Sequence, residues 1–127
     1  MIAIDTNLIV RALTGDDAEQ SARVRALLGE EDLFVPTTVL LEAEWVLRTV
    51  YRLDASRAIE AFVGLPRIRL EHPQYVSHAL KLARAGFDFA DALHHAAAGA
   101  AGCDSFLTFD RELAKLPQTE APPVRLL

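Results

Sequence analysis

The sequence predicts an α/β protein, a three-layer α/β/α sandwich on a central, mainly parallel sheet of about four or five strands. Three observations predict it. Short apolar runs at Ile2-Ala3-Ile4, Leu33-Phe34-Val35 and Ser105-Phe106-Leu107-Thr108-Phe109 stop abruptly at polar or turn residues, as strands buried on both faces do. Between the strands lie longer stretches with apolar residues at helical spacing, and such alternation implies parallel pairing through right-handed crossovers. At 127 residues the chain fits one domain, 1–127, able to bury a single core without disulfides or a structural metal.

Each element has a local reason. Asp5-Thr6-Asn7 ends the first strand, Leu8 to Leu13 fits a short helix, and Thr14-Gly15-Asp16-Asp17 interrupts it with turn chemistry. A second helix is expected from about Asp17 to Leu28, with Ala18, Ala22, Arg25 and Leu28 along one side and Gly29 as its stop. Pro36 ends the Leu33–Val35 strand. Thr37 and Thr38 offer a cap to Val39–Tyr51, the clearest amphipathic helix. Ala55 to Val63 reads as a helix closed by Gly64 and Pro66, and Ile68-Arg69-Leu70 as a brief strand. Pro73 suits the first turn of a helix running to about Ala85, and Asp88 caps another from Phe89 to Ala98. After the strand at 105–109 come a short helix around Arg111 to Leu116, a proline-marked loop, and a last strand at Val124-Arg125-Leu126.

Composition narrows the class. The hydrophobic content of 51% argues for a packed core, and the 24% charged content for a soluble one. A single cysteine, Cys103, precludes an intrachain disulfide and reads as a small buried residue. No signal peptide precedes Asp5, and no apolar run approaches the roughly 18 residues that span a bilayer, so a cytoplasmic protein without a membrane partner is expected. The net charge of −5 speaks against binding nucleic acid through bulk electrostatics. Carboxylates sharing one site would change that locally, because a divalent cation between them reverses the sign of the site. Eleven of the thirteen basic residues are arginine, the better phosphate fork.

Four acids stand where chemistry could gather. Asp5 and Asp110 each follow a strand, and in a parallel sheet both point to the same end, where open α/β sheets place ligand sites. Asp5-Thr6-Asn7 fits equally as a cap for the next helix. About 100° of rotation per residue puts Val39, Ala43, Val46, Leu47 and Val50 on the buried stripe of the third helix, with Glu42 on its border. Glu44 lies nearly opposite and can pair with Arg48, whereas Glu42 has no base at that spacing and either reaches water or takes a cation. Asp91, three residues after the Asp88 cap, is either a first-turn acid favoured by the helix dipole or a ligand. His95, one turn beyond, could bond Asp91 or a phosphate, and one of the His94–His95 pair packs. No Cys or His spacing suggests zinc; an oxygen-rich set favours magnesium or manganese.

As a set, Asp5-Thr6-Asn7, Glu42 within Leu-Leu-Glu-Ala-Glu-Trp-Val-Leu-Arg, Asp91 within Asp88-Phe89-Ala90-Asp91-Ala92-Leu93, and Thr108-Phe109-Asp110-Arg111 resemble a PIN domain. The short single-domain form resembles the VapC-type toxins of bacterial toxin–antitoxin pairs, and the likeness covers essentially the whole chain. The resemblance implies a metal-dependent endoribonuclease, with Asp5, Glu42, Asp91 and Asp110 holding one or two Mg²⁺ or Mn²⁺ ions that activate water against a phosphodiester. It implies that Thr6, Asn7 and Thr108 orient carboxylates or waters, with Arg11, His95 and Arg111 as contacts to RNA. It also implies a VapB-type antitoxin and a homodimer. Leu41 and Trp45, at i,i+4 away from the buried stripe, are a candidate interface.

Other α/β families fit less well. Asn7 stands where a haloacid-dehalogenase-like phosphatase needs its second aspartate, neither Lys81 nor Lys115 follows a strand as a receiver domain requires, and no glycine-rich turn marks a dinucleotide fold. The alternatives kept open are a PIN-fold module that binds RNA or protein without cutting, and a PIN nuclease of RNA maturation.

Overall fold

Five short strands form, and every pairing among them is parallel, as expected from strands joined through helices. Hydrogen bonding divides them three and two. A computed structural model describes residues 1–127 as two units, Met1–Pro73 and Gln74–Leu127.

In the first unit, β1 (Ile2–Ala3), β2 (Leu33–Val35) and β3 (Ile68–Leu70) lie in the order β1-β2-β3, with Ile2 opposite Leu33 and Leu33 opposite Ile68. The central strand is the buried one. Leu33 and Val35 are fully covered, whereas Ile2 on the edge strand is 44% exposed, so β1 is not buried on both faces as its composition suggests. Only Ile4, just past the strand, enters the core.

Helix α1 (Thr6–Thr14) starts earlier than expected because Asp5 caps it, and Gly15 in the left-handed region (φ 64°) ends it. Helix α2 (Ala18–Glu30) is capped by Asp17 and runs through Gly29. Its buried residues are Ser21 and Val24, in place of the expected face of Ala18, Ala22, Arg25 and Leu28. The Ser21 hydroxyl donates to the Arg11 carbonyl at 2.9 Å, which turns that side of α2 towards α1. Helix α3 (Thr37–Thr49) packs against α1 and against α4 (Ala55–Val63). Two neighbours shift its buried face to Leu40, Ala43, Glu44 and Leu47, leaving Val39 and Val46 half-buried and Val50 exposed. The predicted stripe was therefore displaced, and Glu44, expected on the outer side, is 3% exposed and bonded to Arg48 at 2.9 Å. A buried carboxylate needs that partner.

The second unit contains α5 (Pro73–Arg84), α6 (Phe89–Ala100), β4 (Phe106–Thr108), a single 3₁₀ turn at Leu113–Lys115 and β5 (Val124–Leu126). Helix α6 begins at the Asp88 cap as expected and runs two residues further. Strand β4 is shorter and less buried than its sequence implies, with Leu107 and Phe109 exposed. In the two-stranded sheet the 3₁₀ turn packs on β5 and Val124 is buried, whereas Leu107 and Leu126 stay exposed. The short helix expected over 111–116 is only that 3₁₀ turn. Cys103, read as buried, is exposed in the turn after α6. No helix is long and apolar enough to cross a membrane.

Candidate active site

Because β1, β2 and β3 run in parallel, the residues leaving their carboxyl ends share one edge of the sheet: Asp5 after β1, the start of α3 after β2, and Glu71 after β3. Asp5 is exposed and extended, and its Oδ1 accepts the Thr6 amide at 2.7 Å. The cap and the candidate ligand are thus the same side chain, since capping occupies one carboxylate oxygen. Thr6 is buried beneath it, and Asn7 is exposed. Glu42 is exposed in the second turn of α3, on the helix that begins at this edge.

Sequence reasoning missed Glu71. Pro36 precedes α3 and offers no side-chain cap, and neither threonine replaces it. The Thr37 amide instead donates to Glu71 Oε1 at 2.9 Å, a cap from 34 residues away. That bond, chiefly the Thr37 amide, holds the Glu71 carboxyl below its ordinary range. Its signal was the one shared by Asp5 and Asp110, an acid directly after a short apolar strand.

In the second unit the structure brings Asp91 and Asp110 within electrostatic reach. Asp91, half-buried in the first turn of α6, is pushed above its ordinary range first by burial, then by the charges of Asp88 and Asp110, with His94 opposing. Asp88 also accepts the Asp91 amide at 3.0 Å. Asp110 is fixed from two sides: its amide donates to Thr108 Oγ1 at 3.0 Å, and its Oδ1 accepts the Glu112 amide at 2.8 Å. Within neither unit do three or more His, Cys, Asp or Glu side chains gather closely enough to hold a metal by themselves.

The donor chemistry suits Mg²⁺ or Mn²⁺. All the candidate ligands are carboxylates, and the Asp88–Asp91–Asp110 group concentrates negative charge that a divalent cation relieves.

The remaining candidates divide by exposure. Arg11 is committed: its guanidinium donates to Gln20 at 2.7 Å, Asp16 at 3.0 Å and Tyr51 at 3.4 Å, and with Asn7 it lines a groove of ≈ 370 Å³ between α1 and α2. Arg111 is exposed just beyond Asp110. His95 corrects the expectation of an RNA contact: it is wholly buried, with one ring nitrogen 3.0 Å from His78 Nε2 and the other 2.8 Å from the Pro122 carbonyl. The packed member of the histidine pair is therefore His95, and His94 is exposed. Leu41 is half-buried, and Trp45 is 53% exposed.

Among solved structures, the chain is similar to VapC20 of Mycobacterium tuberculosis, a sarcin–ricin-loop-cleaving toxin, at TM-score 0.47 and 19% identity over 89% of this chain and 92% of that one. It is also similar to VapBC2 from Rickettsia felis, solved bound to a promoter DNA fragment, at TM-score 0.41 and 15% identity over 99% of this chain and 98% of that one. No curated protein matches in sequence. The PIN-domain model matches residues 2–118, nearly the full length, with the acids at 5, 42, 91 and 110 inside the match. By that match the chain belongs to the PIN-domain family.

Proposed function

We propose that this protein is a Mg²⁺- or Mn²⁺-dependent endoribonuclease, the toxin of a toxin–antitoxin pair, with Asp5, Glu42, Asp91 and Asp110 as its metal ligands. The observation that carries the reading is the placement of acids just past strand ends, at Asp5 and Asp110, and in the opening turns of α3 and α6, at Glu42 and Asp91. Asp5 is fixed by the Thr6 amide, Asp110 by Thr108 and Glu112, and Asp91 is held in a partly buried, negatively crowded position. Membership of the PIN family supplies the reaction class that such acids serve.

Bound metal would supply Lewis acidity and a water of lowered pKa for attack on the phosphodiester. The chain's own residues prepare for it. Asp5 and Asp110 each spend one oxygen on a backbone amide, which orients the other without side-chain freedom. Thr108 sets the backbone from which Asp110 projects, and Glu71, by anchoring the start of α3, positions the turn that carries Glu42. The Thr6 amide holds Asp5, and Asn7 as a further support and Arg111 as a contact to the RNA backbone are part of the proposal. The proposal includes an RNA substrate, a VapB-type antitoxin, and a homodimer through the surface of Leu41 and Trp45.

The test is cleavage of a panel of cellular RNAs by antitoxin-free protein with Mg²⁺ or Mn²⁺. Metal-dependent cleavage is expected, reduced by more than about 100-fold in Asp5→Ala and Asp91→Asn, beyond what loss of an outer-shell partner costs. Intact RNA with both metals, together with parent and variants of equal toxicity on expression, would refute the reading and leave a module that binds without cutting.

A further inference from the structure

The segment that delivers β5 is tied to α5 and α6 by polar groups that the nuclease reading does not use. Lys81 Nζ meets Glu120 at 3.1 Å, and His95 Nε2 lies 2.8 Å from the Pro122 carbonyl. Behind His95, His78 Nε2 lies 3.0 Å from His95 Nδ1, with the rings stacked at 5.2 Å between centroids. One histidine is wholly buried and the other half-buried at the mouth of a groove lined also by Tyr75 and Ala121.

The position of each proton follows from the partners. A carbonyl only accepts, so His95 Nε2 carries a hydrogen. In the neutral ring Nδ1 is then a lone pair, and it faces His78 Nε2, which must donate. His78 Nδ1 is therefore the open lone pair of the chain His78→His95→Pro122. A first proton on His78 Nδ1 leaves both hydrogen bonds intact. A second, on His95 Nδ1, sets two N–H groups against each other at 3.0 Å and breaks the link.

We propose that His78 and His95 form a one-proton lock that holds residues 117–127 against α5 and α6, and that a second protonation opens it. The groups facing His78 are His95 on α6, Glu120 on the segment itself, and Lys81 and Tyr75 on its own helix; those facing His95 are His78, the Pro122 carbonyl and, tilted at 6.1 Å, the Phe106 ring of β4. Burial, then the charge of His95, lowers the His78 pKa; Glu120 opposes this and Lys81 adds to it. His78 takes up its proton at lower pH in the native state than in the unfolded chain. Its contribution to stability is thus full above the ordinary histidine value of 6.5 and is lost as the pH falls below it. Each proton withheld by the native state costs about tenfold in the folding equilibrium per pH unit. The unit that opens first is the β4–β5 pair, closed by the bonds from the Phe106 amide to the Pro123 carbonyl and from the Leu127 amide to the Thr108 carbonyl.

Nitrogen-15 NMR of the metal-free chain tests the lock. At pH 7.5 both rings are expected as Nε2–H tautomers. Between pH 6.5 and 5, the protection of the Phe106 and Leu127 amides against hydrogen exchange, corrected for intrinsic rate, should fall about tenfold per pH unit, ahead of the β1–β2 amides. In His78→Gln the side-chain amide can turn its oxygen towards a protonated His95, so the same protection should become independent of pH in this range. An Nδ1–H tautomer on either ring, a His78 titration no lower than in the unfolded chain, or an unchanged pH dependence in His78→Gln would overturn the proposal. None of these readouts depends on nuclease activity.

Discussion

Glu71 caps α3 from the end of β3, accepting the Thr37 amide at 2.9 Å where Pro36 leaves the helix without a side-chain cap. One bond therefore links the carboxyl ends of β2 and β3 and sets the start of the helix that carries Glu42. Glu71→Ala should lower the melting temperature by a few degrees, with Glu71→Gln, whose oxygen still accepts, falling less. The folded pKa is depressed, so this contribution is present above the ordinary value of 4.5 and is lost as pH falls through the lowered one. The difference between parent and Glu71→Gln should accordingly vanish in acid; a constant difference from pH 7 to pH 3 would argue that Glu71 acts through packing.

Asp91 presents the opposite sign. Burial and the neighbouring aspartates raise its pKa, so the metal-free native state holds its proton more tightly than the unfolded chain and loses stability as pH rises from 3.8 through the raised value. Asp91→Asn should melt higher than the parent at neutral pH without metal while losing cleavage. Millimolar Mn²⁺ should raise the parent's melting temperature more than the variant's. Equal shifts would place the ion elsewhere.

Thr108 acts on Asp110 through the backbone. Thr108→Val keeps the β-branched shape of β4 but removes the acceptor for the Asp110 amide. Cleavage should fall about 10- to 100-fold, as for other partners that orient metal ligands, with an unchanged circular dichroism spectrum. Full activity in this variant would show that the Glu112 amide alone aligns Asp110.

Gly99 is required by space. A Cβ there would stand 2.9 Å from the Ala121 carbonyl oxygen, closer than a side chain tolerates against backbone. Gly99→Ala should destabilise by about 1–3 kcal/mol in urea unfolding, the scale of overpacking a close contact. The same change at Gly29, which has open space around it, should cost nothing and stabilise the helix interior slightly.

Trp45 lies on α3 with about half of its surface in water. Trp45→Glu should leave the monomer folded and weaken self-association or antitoxin binding, measured by sedimentation and by titration with the partner. Unchanged association would remove this face from the interface.

The sequence alone determined what depends on near neighbours. Strand and helix order, the caps at Asp5 and Asp88, and the acids at 5, 42, 91 and 110 were legible because capping, turn chemistry and apolar spacing act over a few residues. Tertiary structure decided what depends on distant partners. The buried face of α3 moved to Leu40, Ala43, Glu44 and Leu47 because α1 and α4 both press on it, a contact that helical periodicity does not encode. Glu71 became a cap through a bond across 34 residues, and His95 changed from a candidate RNA contact to a buried link because His78 and Pro122 saturate its ring. Phe109 and Cys103, apolar by composition, ended in water because hydrophobicity favours burial but only a covering layer provides it.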